Sequence, residues 1–262
     1  MIKIKSNSYF TSRFRSIFFT LFNRIDNNNN ADFHSNGEQQ FLQNYFQQLR
    51  GKIALFDIGA NIGGYCEILR TESVKHNLDY TIHAFEPTTY CFEVLTKNFS
   101  PDPKVILNNV GASDVETTAE IFYDVQGSGF ASLYQRDLTG LNVELGRQET
   151  IHLIPLKKYI EQNSIDRIDL LKIDIEGHEL KAFIGLGEYL SPKYIKAIQF
   201  EYGGANLDSH TSLHELYKIL EKAGFVLAKI KKNGLEIRKY QLWMDNFQYA
   251  NYVALSPELL RQ

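Results

Sequence analysis

The chain has 262 residues, 44% of them apolar and 23% charged, with a formal net charge of -3. That is enough apolar material for one full α/β core and too much for a disordered chain, while the near-neutral balance gives no broad pull on nucleic acid. Two cysteines, Cys66 and Cys91, exclude a disulfide-built scaffold and a Cys-rich zinc or iron–sulfur site.

Residues 1–25 carry Lys3, Lys5, Arg13, Arg15 and Arg24 and no acid, with Phe14, Ile17, Phe18, Leu21, Phe22 and Ile25 at helical spacing. Such a basic amphipathic helix suits an anionic membrane surface, the domain's own flank or a second subunit. No run reaches the roughly 18 apolar residues of a membrane span. Charges interrupt the apolar run and no small-residue cleavage site follows, against a signal peptide. Asn27-Asn28-Asn29-Asn30 reads as an exposed linker, since four amides are costly to bury and satisfy together. A helix over 38–50 places Phe41, Leu42, Tyr45, Phe46 and Leu49 on one stripe. Residues 1–50 are therefore expected as a helical extension and linker, and 51–262 as one domain.

Short apolar runs then alternate with helical patterns. Strands are predicted at Ile53–Phe56, Tyr80–Phe85, Val105–Val110, Ile168–Ile173, Tyr194–Glu201, Phe225–Ile230 and Tyr249–Leu255. Helices are predicted near 63–71, 89–98, 157–162, 179–183 and 212–223. Continuous apolar strands alternating with helices indicate a parallel sheet covered on both faces, and the last two strands leave room only for an antiparallel ending. Ile121–Val125, Ala131–Tyr134 and Ile151–Pro155 read as extended pieces around a mobile Gly127-Ser128-Gly129 loop.

The strongest local signal is Asp57-Ile58-Gly59-Ala60-Asn61-Ile62-Gly63-Gly64, an acid and a glycine turn between a strand and a helix. Ligands of open α/β sheets bind beyond such strand ends. The spacing G-x-x-x-G-G is neither the dinucleotide fingerprint nor a Walker loop, which argues against a nicotinamide or flavin oxidoreductase and against a P-loop enzyme. Glu86 ends the next strand, where a carboxylate can accept two ribose hydroxyls.

These residues resemble the FkbM-type family of S-adenosylmethionine-dependent methyltransferases. The resemblance rests on Asp57–Gly63, on Ala84-Phe85-Glu86-Pro87 and on Lys172-Ile173-Asp174-Ile175-Glu176-Gly177-His178-Glu179, in that order over roughly residues 50–202. It implies a Rossmann-like class I fold: a mainly parallel seven-stranded sheet, helices on both faces and an antiparallel C-terminal strand. It implies S-adenosylmethionine as donor, contacted by Asp57, Gly59, Ala60, Asn61, Gly63, Glu86, Pro87, Ala112 and Asp174. Residues 110–114 would flank the adenine. Family acceptors include sugars, glycans and natural products, so an O-methyltransferase on such a small-molecule or glycan hydroxyl is expected.

Methyl transfer to a hydroxyl needs alignment and proton removal. Asp174, His178 and Glu201 are the candidates for the base, whereas Glu176 and Glu179 are expected to complement the N-terminus of the following helix. Asp174 and Glu201 leave a magnesium site open. No G-x-S-x-G or H-E-x-x-H motif supports a hydrolase. Tyr123, Phe130, Tyr134, Arg136, Arg147, Tyr202, Asn206 and His210 are candidate acceptor walls. The five basic residues of 229–239 beside Trp243 read as a solvated hairpin. An N-methyltransferase and a non-catalytic binding protein stay open, as does an oligomer. A cytoplasmic location is expected, with peripheral contact at the inner membrane face through residues 1–25.

Overall fold

The structure is a computed structural model and describes residues 9–261. Lys3 and Lys5 lie outside the described residues. The N-terminal helices are α1 (Tyr9–Asp26) and α2 (Glu38–Phe46). The βα alternation follows as β1 (Lys52–Ile58), α3 (Gly64–Lys75), β2 (Asp79–Phe85), α4 (Thr89–Phe99) and β3 (Val105–Asn108). Three strands form a separate unit: β4 (Gly111–Ser113), β5 (Thr117–Tyr123) and β6 (Arg147–Pro155). Alternation resumes with α5 (Leu156–Gln162), β7 (Ile168–Ile173), α6 (Glu179–Gly185), β8 (Ile195–Tyr202), α7 (Gly204–Asp208) and α8 (Leu213–Ala223). The chain ends in β9 (Val226–Lys231), β10 (Gly234–Ile237) and β11 (Ala250–Leu255).

The main sheet has eight strands in the order β10-β9-β11-β8-β7-β1-β2-β3. β3, β2, β1, β7 and β8 run parallel, and β11 inserts antiparallel to both β8 and β9. This is the Rossmann-like methyltransferase order expected from the resemblance, with one addition. β10 pairs with β9 through a tight turn at Gly234 (φ 126°), so the sheet has eight strands where seven are expected. The reading of 229–239 as a solvated hairpin holds for the mostly exposed β10, but Lys229 is buried, and Lys229, Lys231 and Arg238 all pair with Asp26.

Burial explains the layers. Every residue of β7 and β11 is buried, as a strand covered on both faces requires. One face packs against α5, α6 and α8 through Tyr159, Phe183 and Leu216. The other packs against α2, α3 and α4 through Phe46, Leu69 and Phe99. The α2 stripe therefore belongs to the core of the sheet.

The asparagine run departs from the expected exposed linker. Asn27 and Asn28 are buried, and Asn27 and Asn29 adopt left-handed backbone (φ 57° each). Asn27 Nδ2 donates to the carbonyls of Asn36 and Ile230, at 2.7 and 3.1 Å. Asn28 Oδ1 accepts from Lys229 Nζ at 2.5 Å. Asn29 exchanges main-chain and side-chain bonds with Gln248 and Tyr249. Asparagine tolerates left-handed backbone and carries both a donor and an acceptor, so the run forms a hydrogen-bonded corner in which only Asn27 Oδ1, among the side-chain atoms of Asn27–Asn30, is buried without a partner. Asp26 closes it by pairing with Lys229 (2.5 Å) and Arg238 (2.7 Å).

Candidate active site

The strand order reverses between β1 and β7, and the site forms beyond the carboxyl ends of those strands. Gly59 stands there with φ 87°, and a Cβ on it would lie 1.9 Å from the Asp174 carbonyl oxygen. Only glycine lets the two loops touch. The N–H groups of Gly59 and Ala60 both donate to the Phe85 carbonyl, at 3.0 and 2.9 Å, which ties the loop to the end of β2. Asn61 N–H donates to Glu86 Oε2 at 2.9 Å, while Glu86 Oε1 accepts from the N–H and hydroxyl of Thr88. Burial pushes the Glu86 carboxyl up, and these donors offset part of the rise.

A cavity of about 880 Å³, including its open mouth, lies over this loop. Gly59, Asn61, Glu86, Pro87, Ala112, Asp174, His178 and Glu201 line it, with Ile121, Ile151 and Leu153 from the small sheet as an apolar wall. Asn61 Oδ1 is buried there without a hydrogen-bond partner, an acceptor suited to a polar ligand group.

Asp57, Ala60 and Gly63 do not wall this cavity; they shape the loop beneath it. Asp57 is fully buried and accepts from Cys66 Sγ at 3.0 Å, and burial pushes its carboxyl up to about 6. Ala60 packs into the cluster with Cys66 and Leu95. Gly63 turns into α3 at φ 96°, and a Cβ there would lie 2.3 Å from the Phe99 ring. The expected extended segment up to Val110 also divides: β3 stops at Asn108, and Gly111–Ser113 crosses to the small sheet beside β6.

Beyond β7, Lys172 Nζ lies 3.4 Å from Asp174 and 3.2 Å from Glu201. Burial opposes its charge, but Asp174, Glu201 and Glu38 outweigh it and hold the ammonium well above its usual range. Burial and the neighbouring Asp174 push the Glu201 carboxyl up, with Lys172 opposing. Tyr249 OH also donates to Glu201 at 2.9 Å. The two carboxylates expected to offer a magnesium site are thus already bridged by a cation. Among the described residues no three His, Cys, Asp or Glu side chains form a metal-holding group. Lys172 was passed over in the sequence as a motif residue; its signal is a lysine within a wholly buried strand.

His178 is held at both ring nitrogens, by Ser113 Oγ at 2.9 Å and Tyr134 OH at 2.8 Å. Burial pushes its ring down to about 4, so it is neutral at pH 7. Glu179 accepts from the N–H groups of Ile175 and Gly177 and from Asn206, which fixes the loop that carries Asp174.

A second cavity, about 1340 Å³ with its mouth, meets the first. Asp174, Glu176, Glu201 and Gly129 line both. Its other walls include Phe130, Arg136, Tyr202, Asn206, Phe247 and Tyr249, with Asn29 and Ala31 from the asparagine corner. Arg136 is almost buried and pairs with Glu176 (2.5 Å) and Asp208 (3.3 Å) beside the Phe130 ring. Of the expected acceptor-side residues, Phe130, Arg136, Tyr202 and Asn206 reach this cavity. Tyr134 instead holds His178, Tyr123 and Arg147 pair at the far end of the small sheet, and His210 ends the loop after α7. Asn29 carried no signal, because what places it is the distant Tyr249, and Ala31 follows it two residues on.

Residues 57–227 match the model of the methyltransferase FkbM domain, and the chain belongs to that family. The hexuronic acid methyltransferase AglP of Haloferax volcanii is 23% identical over 168 residues, which are 64% of this chain and 64% of that relative's length. Among solved structures, a SAM-dependent methyltransferase from Agrobacterium tumefaciens is 8% identical, with 86% of this chain and 62% of that one covered and a TM-score of 0.44. The Methanococcus jannaschii fibrillarin pre-rRNA processing protein is 11% identical, with 78% and 66% covered and a TM-score of 0.42.

Proposed function

We propose that the protein transfers a methyl group from S-adenosylmethionine to a hydroxyl of a sugar or glycan. The observation that carries this reading is the shared wall: Asp174 and Glu201 border both cavities. Two compartments that meet at carboxylates suit a reaction in which one substrate's hydroxyl must lose a proton beside the other substrate. Family membership supports the donor, and the sugar named for the Haloferax relative supports the acceptor class.

The residues present fit the donor. Glu86 would hold the ribose hydroxyls, Asn61 Oδ1 would take a donor group, and Ile121, Ile151 and Leu153 would cover an apolar ring. When bound, S-adenosylmethionine supplies a sulfonium-activated methyl group. Asp174 takes the hydroxyl proton as the new carbon–oxygen bond forms. Lys172 keeps both carboxylates aimed at the junction, and Glu201, steadied by Tyr249, orients the hydroxyl. His178 borders only the donor cavity and has both nitrogens engaged, which favours a positioning role.

Calorimetric titration with S-adenosylmethionine, S-adenosylhomocysteine and NAD tests the donor. Binding of the first two alone is expected, and failure of both in folded protein overturns the reading. Release of S-adenosylhomocysteine on adding hexuronic acids or glycans tests the acceptor. A rate unaffected by Asp174→Asn would point to an amine in place of a hydroxyl.

A further inference from the structure

α1 exposes six large apolar side chains, five of them along one stripe: Phe14, Ile17, Phe18, Leu21 and Ile25, with Phe18 68% and Ile25 67% exposed; Phe19, about half exposed, lies off it. At roughly 100° per residue these five fall within an arc of about 100°. Exposed Arg13 and Arg24 border one edge of the arc, and exposed Arg15 lies beyond Phe22 on the other side. The helix does not use this stripe to hold the domain. Phe22 meets Trp243 edge-on at 5.7 Å, Asn23 reaches Gln248 and Asp26 binds Lys229 and Arg238, all from a different arc. Beside that anchor, Leu242 is 85% exposed and Trp243 about half, so the apolar surface continues onto the body of the protein.

We propose that this face docks on an anionic lipid bilayer, with the α1 stripe and the Leu242–Trp243 edge buried at the headgroup boundary. An apolar stripe flanked by cations is the pattern of a helix lying in a membrane interface, and a tryptophan at its edge suits the same depth. Charge decides against a second copy of this chain. Residues 1–25 hold no acid, and Asp26 is already paired, so stripe-to-stripe packing would set cation against cation. No helix among the described residues is long and apolar enough to cross a membrane, so the contact is peripheral.

The test uses the full chain and vesicles of phosphatidylcholine with or without phosphatidylglycerol. Co-sedimentation with the anionic vesicles only, weakened by salt, is expected. Trp243 is the chain's single tryptophan, so its emission should shift to the blue on binding. Phe18→Ser and Ile25→Ser should each weaken partitioning roughly tenfold, and leave S-adenosylhomocysteine binding and the melting temperature unchanged. Absence of binding, or equal binding to neutral vesicles, overturns the proposal. A concentration-dependent dimer in sedimentation velocity that Phe18→Ser abolishes also overturns it, in favour of a second copy.

Discussion

The cavity over Gly59 and the cavity beside Arg136 share four residues but are held up in different ways. The first is framed by main chain: the turns after β1, β2 and β7 touch one another directly, and backbone N–H groups anchor Glu86 and the Gly59 loop. The second is framed by side chains from distant segments, among them Asn29, Arg136, Asp208 and Tyr249, joined by ion pairs and amide bonds. Main-chain framing admits little variation without losing the loop. Side-chain framing can be rebuilt residue by residue, which under the proposed function lets the acceptor vary while the donor stays constant.

The largest effect expected from this contrast is at Gly59. Gly59→Ala forces a Cβ against the Asp174 carbonyl at left-handed φ, and should cost roughly 3–5 kcal/mol of stability and abolish S-adenosylhomocysteine binding. A variant that melts normally and still binds in calorimetry would break the comparison. Next comes Arg136→Met, which leaves Glu176 and Asp208 without their cation. It should cost about 3 kcal/mol in urea unfolding and raise the acceptor KM, with donor affinity preserved. Equal damage to donor binding would show that the cavities are not separately framed.

A pH series sharpens the donor side. The His178 ring titrates near 4 in the folded protein against 6.5 as the ordinary value. Between those values the unfolded chain binds a proton that the folded chain refuses. Its contribution to stability therefore falls as pH drops from about 6.5 to about 4, by up to roughly 3 kcal/mol, and is level below. His178→Gln should remove that limb, and a ring titration midpoint above 6 by NMR would sink the claim. Glu86→Gln should weaken donor-side binding by about 2 kcal/mol and also lower the melting temperature, since its amide NH2 meets an N–H or hydroxyl donor that Glu86 now accepts from. The smallest effect is expected for Asn29→Ala, about 1 kcal/mol, read in the melting temperature and in the acceptor KM but not in donor affinity.

The same contrast explains what could be read from the amino acids. β7, α8 and the turn at Gly59 depend on neighbours in sequence: a mostly apolar run, a Ser212–Glu215 capping box and glycines at fixed offsets. Glu86 and Asp174 follow from them as strand ends. Asn27–Asn30 was misread because its partners, Ile230 and Tyr249, lie some two hundred residues away, and polarity alone does not reveal a partner. Asp57 and Gly63 sit inside the motif for the sake of the loop: one meets the Cys66 thiol, the other clears the Phe99 ring. Contiguity in a motif therefore does not imply a place on the cavity wall.

The two cysteines give the molecule a built-in pair of chemical clocks. Cys91 lines the cavity over Gly59, whereas Cys66 lies beneath the loop against Asp57, and burial holds both thiols above their usual range. Alkylation of Cys91 should therefore proceed at the rate the empty cavity admits reagent and stop when it is filled. Cys66 should react only when β1 and α3 part. One labelling time course, resolved by mass spectrometry, would report occupancy and unfolding on the same chain without any substitution.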